Sequence, residues 1–123
     1  MQIAADVVVA LVALIHVYIL VLEMFLWRTP RARAAFGTTE EFAEQTVTLA
    51  ANQGLYNGFL AAGLIVALIA GGARTDVGLA FALFFLLCVL VAGFYGAATA
   101  NKRILLVQSL PAVVGIVLVL LAR

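Results

Sequence analysis

The chain has 123 residues, of which 67% are hydrophobic and 11% charged, with a formal net charge of +1 and a single cysteine. An ordinary soluble domain is about 45–50% apolar and about 25% charged, and a soluble bundle this small could not hide the surplus, because about a third or more of a small domain's surface stays wet. The balance argues for a bilayer as solvent; it excludes a disulfide scaffold, a nucleic-acid binder and a disordered chain.

Four stretches, 3–27, 47–71, 77–100 and 104–122, reach the ~20 mostly apolar residues that a membrane helix needs. They predict one all-α membrane domain, four transmembrane helices in an antiparallel up-and-down bundle, because the two later connections are short. A transmembrane barrel would need alternating strands, and these runs are continuous. The first stretch lacks the charged n-region of a signal peptide, and its apolar core exceeds the usual ~7–15 residues. It is expected to be retained.

The linker 28–46 has its own grammar. Thr29 before Pro30 reads as an N-cap with proline at the first helical position. R-A-R-A-A-F then forms a short interfacial helix that ends at Gly37, a natural left-handed residue. Thr38 with Glu41 is a capping box, so the second helix is expected to begin near Thr39. Its acidic first turns, with Glu40, Glu41 and Glu44, suit a helix N-terminus in the headgroup region. Arg28, Arg31, Arg33, Lys102 and Arg103 lie on one side of the spans, with Arg74 and Arg123 on the other. This asymmetry predicts a multi-pass protein of the bacterial inner membrane with both termini outside.

Polar side chains inside spans usually face the bundle interior or a cavity. They are His16 and Glu23 on the first span, Asn52, Gln53, Tyr56 and Asn57 on the second, Tyr95 and Thr99 on the third, and Gln108 and Ser109 on the fourth. Asp6 is interfacial, and Cys88 is a core residue. At 1.5 Å per residue, Glu23, Asn52, Gln53, Tyr95 and Gln108 all lie roughly 6–8 Å inward from the helix ends on the side of the first linker. His16 and Asn57 follow at roughly 15 Å. Every span thus brings a polar group to one half of the bilayer. His16 and Glu23, two turns apart, share a face with Leu20 and Trp27. Ala50, Gly54, Gly58 and Ala62 form a small-residue ridge that permits close helix contact on the far side from Asn52 and Tyr56. The second helix is therefore expected to have neighbours on two faces. Pro111 is expected to bend the fourth helix just beyond Gln108.

A carboxyl in hydrocarbon carries a cost that an amide would avoid. Glu23 beside His16 therefore suggests proton handling, ligand capture or metal ligation. As an enzyme, the chain would use His16 and Glu23 as general base and acid on a small membrane-soluble molecule. A metal is disfavoured because two ligands on one helix need a third, and a single His supports haem poorly; no cofactor is named. As a binding protein, it would hold a small or amphiphilic ligand, or a lipid, through Glu23, His16, Asn52, Gln53, Tyr56, Asn57, Tyr95 and Gln108 in a pocket on the cytoplasmic side. As a structural or accessory subunit, it would use its amides as interhelical hydrogen bonds worth about 0.6 kcal/mol each. A homo-oligomer stays open. Transport is a weaker reading, since four short helices enclose no two-gated path unless the protein dimerises, and the chain has no clear internal repeat.

Three segments carry a family resemblance: Ala13–Trp27 (A-L-I-H-V-Y-I-L-V-L-E-M-F-L-W), Phe42–Gly63 with its N-Q-G-L-Y-N-G-F run, and Q-S-L-P-A at Gln108–Ala112. Together they resemble the bacterial membrane proteins grouped as domain of unknown function 1304. The resemblance implies a compact four-span protein and brings no activity, substrate or cofactor. It points to His16, Tyr18, Glu23, Asn52, Gln53, Gly54, Tyr56, Asn57, Gly58, Gln108 and Pro111 as the family's pattern. Some members carry an acid beside the histidine, where this chain has Ile15.

Overall fold

A computed structural model describes all of residues 1–123. The protein is all-helical: α1 (Gln2–Met24), α2 (Pro30–Phe36), α3 (Glu40–Gln45), α4 (Val47–Ile69), a 3₁₀ turn (Gly72–Arg74), α5 (Asp76–Thr99), a π-helical segment (Leu105–Ser109) and α6 (Leu110–Ala122). Four stretches, Gln2–Met24, Val47–Ile69, Asp76–Thr99 and Leu105–Ala122, are long and apolar enough to cross a membrane. The chain forms two compact units, residues 16–59 and residues 1–15 with 60–123.

In the unit of residues 16–59, α1 stops at Met24 instead of running to Trp27. The amides of Phe25 and Leu26 both donate to the Val21 carbonyl, at 3.0 and 3.2 Å, and the chain turns there. The cause lies ahead of it. A residue before proline is pushed to extended backbone, and Thr29 adopts φ −74°, ψ 156° as the cap of α2. Trp27 therefore does not share the helical stripe of His16 and Glu23. The cap itself is as expected: Thr29 Oγ1 accepts from the Ala32 amide, and Gly37 ends α2 at φ 68°.

The next cap lies one residue later than the sequence suggested. Thr38 cannot begin α3, because its amide closes the end of α2 on the Arg33 carbonyl at 3.0 Å. Thr39 takes the role, and its hydroxyl accepts from the Phe42 amide at 3.1 Å. The expected single helix from Thr39 is also broken into α3 and α4 at Thr46 (φ −113°, ψ 11°). The Thr46 hydroxyl donates to the Phe42 carbonyl at 2.7 Å and accepts from Trp27 Nε1 at 3.0 Å. Trp27 also packs on Phe36 of α2, with ring centroids 5.0 Å apart. Arg28 pairs with Glu44 at 3.1 Å. These contacts fasten α2 and α3 to the ends of α1 and α4.

In the unit of residues 1–15 and 60–123, an apolar core gathers Val9, Val12, Leu64, Leu86, Val89 and Val119. The turn after α4 depends on Gly72. It sits at φ 60°, and a Cβ there would lie 2.5 Å from Asp6 Oδ1. Thr75 caps α5 by accepting from the Gly78 amide at 3.0 Å. Arg74 pairs with Asp6 at 3.4 Å, and Arg123 pairs with Asp76. The last span differs from a plain helix over 104–122. Proline has no N–H to complete an α-helical turn, and the turns before Pro111 widen to π geometry, with the Leu110 amide donating to the Leu105 carbonyl.

Candidate functional site

The polar residues of residues 16–59 divide into an inner and an outer set. His16 (0% exposed), Glu23 (6%) and Asn57 (8%) are buried. Asn52, Gln53 and Tyr56 are exposed. Helical geometry explains the split. The buried stripe of α4 runs through Ala50, Gly54, Asn57 and Ala61, and Asn52 lies on the opposite side of the helix at 100° per residue. Asn52 and Tyr56 therefore do not face a second neighbouring helix within this unit. The expected ridge also drifts: four residues advance the angle by about 40° beyond a full turn, so the face passes from Gly58 to Ala61, and Ala62 is exposed.

Asn57 joins the two spans. Its Nδ2 donates to Glu23 Oε1 at 2.6 Å and to the Gln53 carbonyl at 3.2 Å. Gly54 permits this approach, because a Cβ there would stand 2.6 Å from Met24 Cγ, 3.0 Å from Glu23 Cβ and 3.2 Å from the Leu20 carbonyl oxygen. A carboxyl withdrawn from water needs a donor, and Asn57 supplies it from the facing helix. His16 lies on the same helix as Glu23, seven residues earlier.

The remaining expected residues belong to the other unit. Tyr95 is 72% exposed, and its carbonyl accepts from the Thr99 hydroxyl at 2.8 Å. Gln108 is half-buried in the π-helical segment. Its neighbour Ser109 is buried against Gly93, where the Ser109 hydroxyl points to the Leu90 carbonyl at 3.5 Å.

Several contacts were not singled out by the sequence reading. Tyr18 accepts from Arg31 Nη1 at 3.4 Å. Trp27 and Thr46 meet across 19 residues. A Trp at the end of an apolar run is an interfacial anchor, and a Thr bonding back to the i−4 carbonyl marks a helix irregularity. Those were the available signals.

A family model described as "Protein of unknown function (DUF1304)" matches residues 10–120. The chain belongs to this family. It is also similar to the uncharacterized protein YpaA of Lactococcus lactis subsp. lactis (strain IL1403), 34% identical over 100 residues that cover 80% of this chain and 81% of the relative. No solved structure matches the chain.

Proposed function

We propose that this DUF1304 protein binds a small or amphiphilic ligand at a polar site around Glu23 and Asn57. His16 and Gln53 contribute on the same side, and Asn52 and Tyr56, on the outer face of α4, hold the part of the ligand that extends around the helix. The supporting observation is the buried Glu23–Asn57 bond at 2.6 Å, with exposed amides on the same few turns of α4. A polar head would find donors and acceptors there that hydrocarbon does not offer. The proposed setting is the bacterial inner membrane with both termini outside, from the Lys/Arg asymmetry. Close approaches within each unit, Leu20 to Gly58 and Met24 to Gly54 in one, Ile104 to Gly96 and Ser109 to Gly93 in the other, support an antiparallel pair of spans in each, and α2 is proposed to lie at the interface.

Native mass spectrometry of the purified chain tests the reading. The expected result is a co-purifying amphiphile on the wild type that is lost in Asn52→Leu, an exposed position whose substitution leaves the fold intact. No adduct, or an adduct that survives in both Asn52→Leu and Tyr56→Ala, rejects it. A purely structural role is the second reading, because the Glu23–Asn57 bond is itself a link between helices. That role predicts that Glu23→Gln changes nothing but stability.

A further inference from the structure

The three linker arginines are not equivalent. Arg28 is neutralised by Glu44 at 3.1 Å. Arg31 rests on the neutral Tyr18 hydroxyl at 3.4 Å. Arg33 is only partly exposed, and its Nε is buried with no acceptor in the protein. The Thr38 hydroxyl is likewise buried with no partner. Both side chains spring from one turn, since the Thr38 amide donates to the Arg33 carbonyl at 3.0 Å. Buried polar groups normally have partners, so two orphans in one turn call for a ligand that accepts from both.

Chemistry and depth narrow that ligand. A guanidinium and a hydroxyl rooted in one turn suit the oxygens of a phosphate. Glu40 and Glu41 are exposed and form no ion pair, so the protein's own acids leave Arg33 uncompensated. The turn is held at the level of the span ends. Phe36, three residues from Arg33, packs on Trp27, and Trp27 bonds Thr46 at the start of α4. That is the level of lipid headgroups if α1 and α4 span the bilayer.

We propose that Arg33 and Thr38 bind the phosphate of an anionic phospholipid at the membrane surface. This site is separate from the Glu23–Asn57 site and does not depend on it. The test uses the full chain in a neutral detergent and follows its unfolding midpoint with added phosphatidylglycerol, phosphatidylcholine of the same acyl chains, or inorganic phosphate. Phosphatidylglycerol raises the midpoint with saturation, and the other two do not. Arg33→Gln, checked for native helicity by circular dichroism, weakens the response about tenfold, as expected for loss of a charge-assisted hydrogen bond. Arg33→Lys keeps the charge but loses the Nε–H, and it also weakens binding. Arg28→Gln, whose guanidinium is already paired with Glu44, responds like the wild type. Equal stabilisation by phosphatidylcholine overturns the proposal, as does an undiminished response in Arg33→Gln or in Arg33→Lys. Equal stabilisation by inorganic phosphate overturns the lipid as its source.

Discussion

Asn57 fastens α4 to α1 with the same nitrogen that closes its own helical turn, donating to Glu23 Oε1 at 2.6 Å and to the Gln53 carbonyl at 3.2 Å. The two partners are not symmetric in consequence. Glu23→Gln keeps an acceptor oxygen for Asn57, so the helix pair should lose less than about 1 kcal/mol. Asn57→Leu leaves a buried carboxyl without its donor and should cost about 1–3 kcal/mol. Thermal unfolding in detergent ranks the two. Equal losses would mean that Asn57 contributes through its volume and not through its bond.

Gly54 and Gly58 look alike in sequence and differ in what faces them. A Cβ at Gly58 would meet only the flexible Leu20 side chain, Cδ1 at 2.6 Å and Cγ at 3.9 Å. A Cβ at Gly54 would also approach the Leu20 backbone oxygen and Glu23 Cβ. Gly54→Ala should therefore cost about 1–3 kcal/mol through forced separation of α1 and α4. Gly58→Ala should cost less, since Leu20 can change rotamer. Unfolding midpoints of the two variants check the order.

The spans were legible because hydropathy over ~20 residues dominates any local signal. The pairing of Glu23 with a second-span amide was half legible. Depth counted from the helix ends set Asn52 and Gln53 level with Glu23 and put Asn57 deeper, beside His16, yet Asn57 is the residue that bonds Glu23. Only its angular position on the Ala50–Gly54–Ala61 stripe selects it, and the drift of that stripe is fixed by packing. The early end of α1 was hidden because Phe25, Leu26 and Trp27 are as apolar as the helix before them. The cap at Thr39 was missed because adjacent threonines offer the same chemistry, and only the prior use of the Thr38 amide by α2 decides between them. At the break, Thr46 has a local signal in its bond to the Phe42 carbonyl, but its other partner, Trp27, lies 19 residues away and outside any local pattern.

That choice of cap is measurable. Thr39→Ala removes the acceptor for the Phe42 amide, a loss of about 0.5–2 kcal/mol at a helix start. Thr38→Ala removes a hydroxyl that caps nothing in α3. Hydrogen exchange at the Phe42 amide should accelerate in Thr39→Ala and stay near the wild-type rate in Thr38→Ala. The reverse order would return the cap to Thr38.

The sidedness proposed from the charge asymmetry can be read directly. With Arg28, Arg31, Arg33, Lys102 and Arg103 inside, a reporter fused after Arg123 should stand outside. An alkaline phosphatase fusion at that position is expected to be active and a green fluorescent fusion dark. The opposite pattern inverts the orientation and puts the proposed headgroup site at Arg33 on the outer leaflet.

The π-helical segment and Gly93 form one device. Pro111 withholds an amide, the preceding turns widen, and Ser109 is buried against α5. There a Cβ at Gly93 would overlap the Ser109 hydroxyl and stand 3.0 Å from the Ser109 backbone nitrogen. Gly93→Ala should cost about 1–3 kcal/mol, because a backbone atom cannot step aside. Pro111→Ala restores the missing donor and lets the α register return. That change turns the upstream residues by about 100° and moves Ser109 off Gly93. The added methyl should then be tolerated, so the double variant should lose less than the sum of the single losses by at least 0.5 kcal/mol, on the order expected for coupled neighbours. Strict additivity in a double-mutant cycle would show that Pro111 does not set the register and that the widened turn has another origin.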